Sequence, residues 1–293
     1  MTILSLLIWN LLAPAAVASA TVAAARRLGR GPQSGHRGRW GVAAGLGLGY
    51  FAGHVGLLRL PSFPAVDSLQ WVAWLALAAA GLGIVEAARP IPRRVSWAAR
   101  GLLVAGAIGL ILRSQVEHHW TAAQAAPWLA GTWAVVMASW WNLEAQGERL
   151  PGPGWMFHLG LVAAGWAAVQ VRSGNAAAGQ LDGVLASAAL GALPAVGLRP
   201  GPTLARGGPA VASMVLAGLG LTGYFYSEVP AAAALLLVLA PWAPWVDRIG
   251  LVRRRSPWTR ASIRVLAVLI AVGAAVLVAE AGSRPSPDDV TGP

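Results

Sequence analysis

The chain reads as an all-α, polytopic helical membrane protein of about ten transmembrane helices. Three observations predict that class. Its 293 residues are 56% hydrophobic and only 11% charged, against about a quarter charged in an average soluble domain. Apolar stretches long enough to cross about 30 Å of hydrocarbon recur along the whole length. Arginine-rich loops alternate with loops nearly devoid of arginine, the charge pattern of a threaded membrane chain. The mean hydropathy of +0.59 agrees. A transmembrane barrel would need alternating strands of about ten residues, and uninterrupted apolar runs do not supply them.

The spans are expected at about 2–25, 41–58, 68–88, 97–116, 122–143, 154–171, 175–198, 208–226, 230–247 and 261–280. They form one integral membrane domain over 1–280, followed by a short polar tail, 281–293, whose proline and small polar residues predict disorder. The first span carries Arg26 and Arg27 after its apolar stretch. A signal peptide carries basic residues before it, so the segment is expected to stay as an uncleaved span. The second span sets Gly41, Gly45, Gly49 and Gly53 at spacing four, a smooth stripe that lets another helix approach closely. The third ends at Glu86, expected to snorkel at the boundary beside Arg89. The fourth ends in "RSQVEHHW", 113–120, and spans five and six flank a loop with Glu144, Glu148 and Arg149.

The seventh span holds Asp182 about two turns inside an apolar run. A carboxylate at that depth costs up to ~3 kcal/mol on insertion scales and usually faces a partner or a watered cavity. Arg113, Gln170, Arg172, Asn175 and Gln180 are its neighbours by expected depth, and a structural Asp–Arg pair is the simplest account. The eighth span ends in "GYFYSEVP", 223–230, and spans nine and ten flank the basic "VDRIGLVRRRSPWTR", 246–260. Trp40, Trp71, Trp97, Trp120, Trp155 and Trp258 fall at span ends, as an interfacial aromatic belt would place them.

The loops 26–40, 89–94, 199–206 and 246–260 hold most of the arginine and share one side of a ten-span threading. The positive-inside rule puts them in the cytoplasm and both termini outside, in the cell (inner) membrane. The net charge of +11 is thereby a topology signal, and no nucleic-acid partner is expected. The partner is the lipid bilayer, with a homo-oligomer or membrane complex left open. The absence of cysteine excludes disulfides, thiolate catalysis and c-type haem attachment. The span count resembles that of drug/metabolite transporters, but their inverted five-span halves and cytoplasmic termini are not expected here, so membership does not follow.

"AGLGLGYFAGHV", 44–55, aligns with "AGLGLTGYFYSEV", 217–229, if Thr222 is an insertion. Spans 1–4 would then match spans 7–10 as a parallel internal repeat. His54 and Glu228 become equivalent, each four residues after a tyrosine, Tyr50 and Tyr224. If the two faces meet, they form a polar cluster that carries protons or binds a cation. Otherwise the tyrosines belong to the belt, Glu228 serves the start of span nine ahead of Pro230, and His54 is a structural histidine. Glu117, His118 and His119 are metal-ligand types suited to a divalent ion, although adjacent histidines diverge by about 100° on a helix. No other cofactor is expected. Three functions remain: a small-solute or ion permease with an outward polar cavity, a membrane enzyme or metal-binding subunit using the Glu/His segment, and an accessory subunit with no site.

Overall fold

A computed structural model of the chain describes residues 2–28, 40–89, 91–197 and 207–282. The expected disorder of the tail beyond 282, and most of the basic loops 26–40 and 199–206, lie outside the described residues. Every long element is helical and no strand occurs among the described residues. We number the helices α1 (Ile3–Leu28), α2 (Trp40–Leu58), α3 (Ser68–Ala88), α4 (Arg93–Ile111), α5 (Ala122–Arg149), α6 (Gly152–Arg172), α7 (Ala176–Gly197), α8 (Gly208–Tyr226), α9 (Ala231–Leu239) and α10 (Pro257–Gly282). All but α5 and α9 are long and apolar enough to cross a membrane, which makes eight candidate spans among the described residues. The chain is an all-α polytopic helical protein, and its helices fall where the apolar runs predict them.

Where boundaries differ, local chemistry explains why. The fifth span was expected to stop at 143, yet α5 runs to Arg149 and turns at Leu150 and Pro151 into α6. Its start is a capping box, in which the Gln124 side chain accepts from the Thr121 backbone N–H at 3.0 Å. The ninth span changes type halfway: α9 ends at Leu239 and Ala240–Arg248 continues as a 3-10 helix. Pro241 and Pro244 each lack an N–H, so the α-helical ladder cannot pass through them. In i→i+3 geometry Pro244 should donate to Pro241, and its ring cannot. The Pro241 carbonyl is therefore taken by side chains of α5, Asn142 at 2.9 Å and Gln146.

The core lies among α2, α3, α6, α7 and α8, with α8 the most enclosed. Small residues allow this density. The ladder of α2 lies along α1 in antiparallel register, where Pro14, Ala18, Val22 and Ala25 form the buried stripe. A Cβ on Gly45 would sit 3.0 Å from the Ala18 carbonyl, and one on Gly49 would sit 2.9 Å from the Pro14 carbonyl. The stripe is therefore a backbone-to-backbone contact. Just before it, α1 opens into a π-helical stretch, Ile8–Leu12, because Pro14 cannot donate to the carbonyl four residues back.

Two expectations change in the folded chain. Trp155 is not in an aromatic belt: it is 1% exposed and its indole N–H donates to the Leu143 carbonyl at 3.0 Å. The matched segments of the sequence repeat also pack differently. Helix α2 lies closely along α3, whereas α8, its counterpart, lies closely along α3 and shares little surface with α9.

Candidate functional site

Among the described residues, two of the buried polar clusters involve acidic side chains of the helices. The first lies where α1, α2 and α7 meet. Tyr50 and His54, one turn apart on α2, put their ring centroids 6.4 Å apart. Asp182 lies on α7, which packs on this stretch of α2 through Val184 and Ala188, and Asp67 N-caps α3. Tyr50, His54 and Asp182 are each 0% exposed.

Asn10 joins them from the π-helical stretch of α1. Its Oδ1 lies 2.8 Å from where a Cβ on Gly183, the residue after Asp182, would stand. The glycine makes room for the amide. Opposite it, Val184 covers Gly53 and Ala188 covers Gly49, so α7 is held against the same glycine face that seats α1.

What sets this centre apart is its lack of partners. Asn10 Oδ1, Tyr50 Oη, both ring nitrogens of His54 and both carboxylate oxygens of Asp182 are buried with no hydrogen-bond partner among the described residues. Buried polar atoms are nearly always paired, and each unpaired one costs ~1–3 kcal/mol. Six together on three touching helices are not a packing accident to be absorbed by the core. A carboxylate, an imidazole and a phenol in one place are the groups from which proton relays and cation sites in membranes are made.

None of the arginines expected at this depth pairs with Asp182. Arg113 is exposed and bonds Glu117 at 2.7 Å, one turn along the short helix Arg113–His118. Arg172 approaches Glu280 at 3.5 Å. Asn175 instead caps α7, accepting from Ala178 N–H at 2.9 Å, and its amide meets Ser227 Oγ. Glu228 is exposed, in a left-handed turn at φ 54°, while its sequence counterpart His54 is buried. Tyr224 faces a different place, an apolar cavity of about 500 Å³ between α5, α8 and α9, where it packs against Phe225 at 4.8 Å and Trp128 at 6.2 Å.

The Glu117, His118 and His119 segment is exposed, with Glu117 engaged by Arg113. No group of three histidine or acidic side chains converges as a metal site would require, among the described residues.

The second polar centre was missed from the sequence. Arg100 of α4, 4% exposed, donates Nε to Glu86 at 2.8 Å and Nη2 to the other Glu86 oxygen at 2.9 Å. It also meets Glu144 of α5, and Ser96 adds a hydrogen bond to Glu86. Trp97 and Trp140 lie 5.2 and 5.4 Å from the guanidinium, in cation–π range. Glu86 is thus a buried ion-pair partner, not a snorkelling boundary residue. The only hint in the sequence was that an acid ends span three while an arginine starts span four.

No protein-family model matches the chain, and comparison with curated proteins finds none that matches.

Proposed function

We propose that the chain is a small-solute or ion permease, with the Asn10, Tyr50, His54 and Asp182 centre as the polar element of its pathway. One observation carries the reading: Asp182 is fully buried at a junction of membrane helices, with neither oxygen partnered among the described residues. An intramembrane carboxylate kept without a structural partner is explained by a proton or cation that comes and goes. The π-helical stretch of α1 beside it, also common at functional sites, offers a backbone that can shift. In this reading the membrane is the cell (inner) membrane, the arginine-rich loops are cytoplasmic and both termini are outside.

The test uses proteoliposomes loaded with a pH-, sodium- or potassium-sensitive dye, across which the matching ion gradient is imposed. Wild type should dissipate at least one gradient faster than empty liposomes, and Asp182→Asn should lose most of that flux while remaining folded. Equal flux in wild type and Asp182→Asn, or no flux above empty liposomes with any gradient, would overturn the role.

A further inference from the structure

A third feature lies apart from both buried centres. At the end of the bundle where α5 terminates and α10 begins, a cavity of about 350 Å³ is bounded by the 3-10 segment Ala240–Arg248. Four arginines line it, Arg149, Arg248, Arg260 and Arg264, against a single carboxylate, Asp247. The formal excess is three positive charges in one concavity. Like charges so placed repel, and an arrangement of this kind is stable when an anion sits among them.

Three buried atoms of this lining lack a hydrogen-bond partner among the described residues, Asp247 Oδ1 and the Nε–H groups of Arg260 and Arg264, so donors outnumber acceptors. Arg264 donates Nη1 to Asp247 at 3.1 Å, but its Nε–H is buried with no acceptor among the described residues. The Nε–H of Arg260, one turn earlier on α10, is likewise buried without one among those residues. Residues four apart on a helix share a face, so both donors border one space. Arg149 and Arg248 are held near it through Trp245, whose ring lies 4.2 and 3.9 Å from their guanidinium carbons. Trp245 is anchored in turn by its indole N–H to Asn142 Oδ1, in the same network that captures the Pro241 carbonyl. The proline-imposed 3-10 turn therefore positions the cationic wall.

We infer that this cavity is an anion site for a phosphate group, bound by Arg260 and Arg264 directly and by Arg149 and Arg248 across the opening. Guanidinium forks match the tetrahedral oxygens of phosphate and hold them by charge-assisted bonds. The group arrives either as the headgroup of an anionic phospholipid, since basic pockets between membrane helices bind such headgroups, or as a free phosphate or phosphate ester. Both present the same dianionic or monoanionic oxygens to the same donors.

The experiment uses the full chain in phosphatidylcholine nanodiscs, with two probes. Inorganic phosphate is titrated while thermal stability is followed. Phosphatidylglycerol is then mixed into the discs, and retained lipid is counted by native mass spectrometry. The expected result is one saturable phosphate-bearing ligand per chain in at least one arm. Its affinity should fall about tenfold or more in Arg260→Gln, the loss of one charge-assisted contact. Arg260→Lys, which keeps the charge but not the fork, should fall between. Arg254→Gln, on an exposed arginine outside the cavity, should bind as wild type. Retention of phosphatidylglycerol assigns a lipid headgroup; phosphate binding without it assigns a soluble ligand. Binding of neither probe, or equal binding by Arg260→Gln and Arg254→Gln, would overturn the site.

Discussion

Arg100 and Asp182 are both charged-type side chains buried among membrane helices, and the fold treats them oppositely. Arg100 is surrounded: two carboxylates and two indoles answer one guanidinium, and a serine steadies one of the carboxylates. Asp182 shares its helix junction with Tyr50, His54 and Asn10, and neither of its oxygens has a hydrogen-bond partner among the described residues. The bundle can therefore satisfy a buried charge when three helices supply partners. That it does not do so around Asp182 separates the two centres in kind, one holding helices together and the other left available.

The largest expected effect comes from dismantling the satisfied centre. Arg100→Met leaves Glu86 and Glu144 facing each other without their cation, a change that costs about 3–5 kcal/mol when a buried pair is broken. Reversible unfolding in detergent or bilayer mimetic should show that loss, and a change below about 1 kcal/mol would mean the network is incidental. Next comes the seat of the open centre. Gly49→Val pushes a side chain into the Pro14 carbonyl and Ala18 and should destabilise by about 1–3 kcal/mol, the usual cost of overpacking. Because α1 carries Asn10 to Gly183, the residue after Asp182, the variant should lose flux as well as stability.

Smaller effects are expected outside both centres. Asn142→Leu removes one of two donors to the Pro241 carbonyl and the acceptor for Trp245, so about 1–2 kcal/mol should disappear from the unfolding free energy. Arg113→Ala deletes an exposed pair whose side chains are 71% and 45% exposed. Surface pairs contribute about 0–1 kcal/mol, and neither stability nor flux should move measurably. A large effect there would restore Arg113 as a partner of the membrane core.

Much of the architecture was legible because membrane helices announce themselves by length and apolarity, which are local properties. Asp182 stood out for the same reason, as one carboxylate in an apolar run. The Arg100 network was hidden because its parts, Glu86, Arg100 and Glu144, each fall near a span end, where charges are ordinary. Only packing of α3, α4 and α5 reveals that they meet. Asn10 was hidden too, since a lone amide near the start of a span carries no signal until α1 is seen to open beside Gly183. His54 and Glu228 differ in setting for a conformational reason: Glu228 follows the last turn of α8 in an exposed left-handed bend, whereas His54 is buried within α2.

The measurement closest to the central claim is the unfolding free energy of Asp182→Asn and Asp182→Leu beside wild type. A carboxylate without partners contributes no contact to lose, and removing a buried unsatisfied group can stabilise. Both variants should therefore be as stable as wild type or more stable by about 1 kcal/mol. A loss approaching that of Arg100→Met, about 3 kcal/mol or more, would show Asp182 to be a structural residue and contradict the distinction between the two centres.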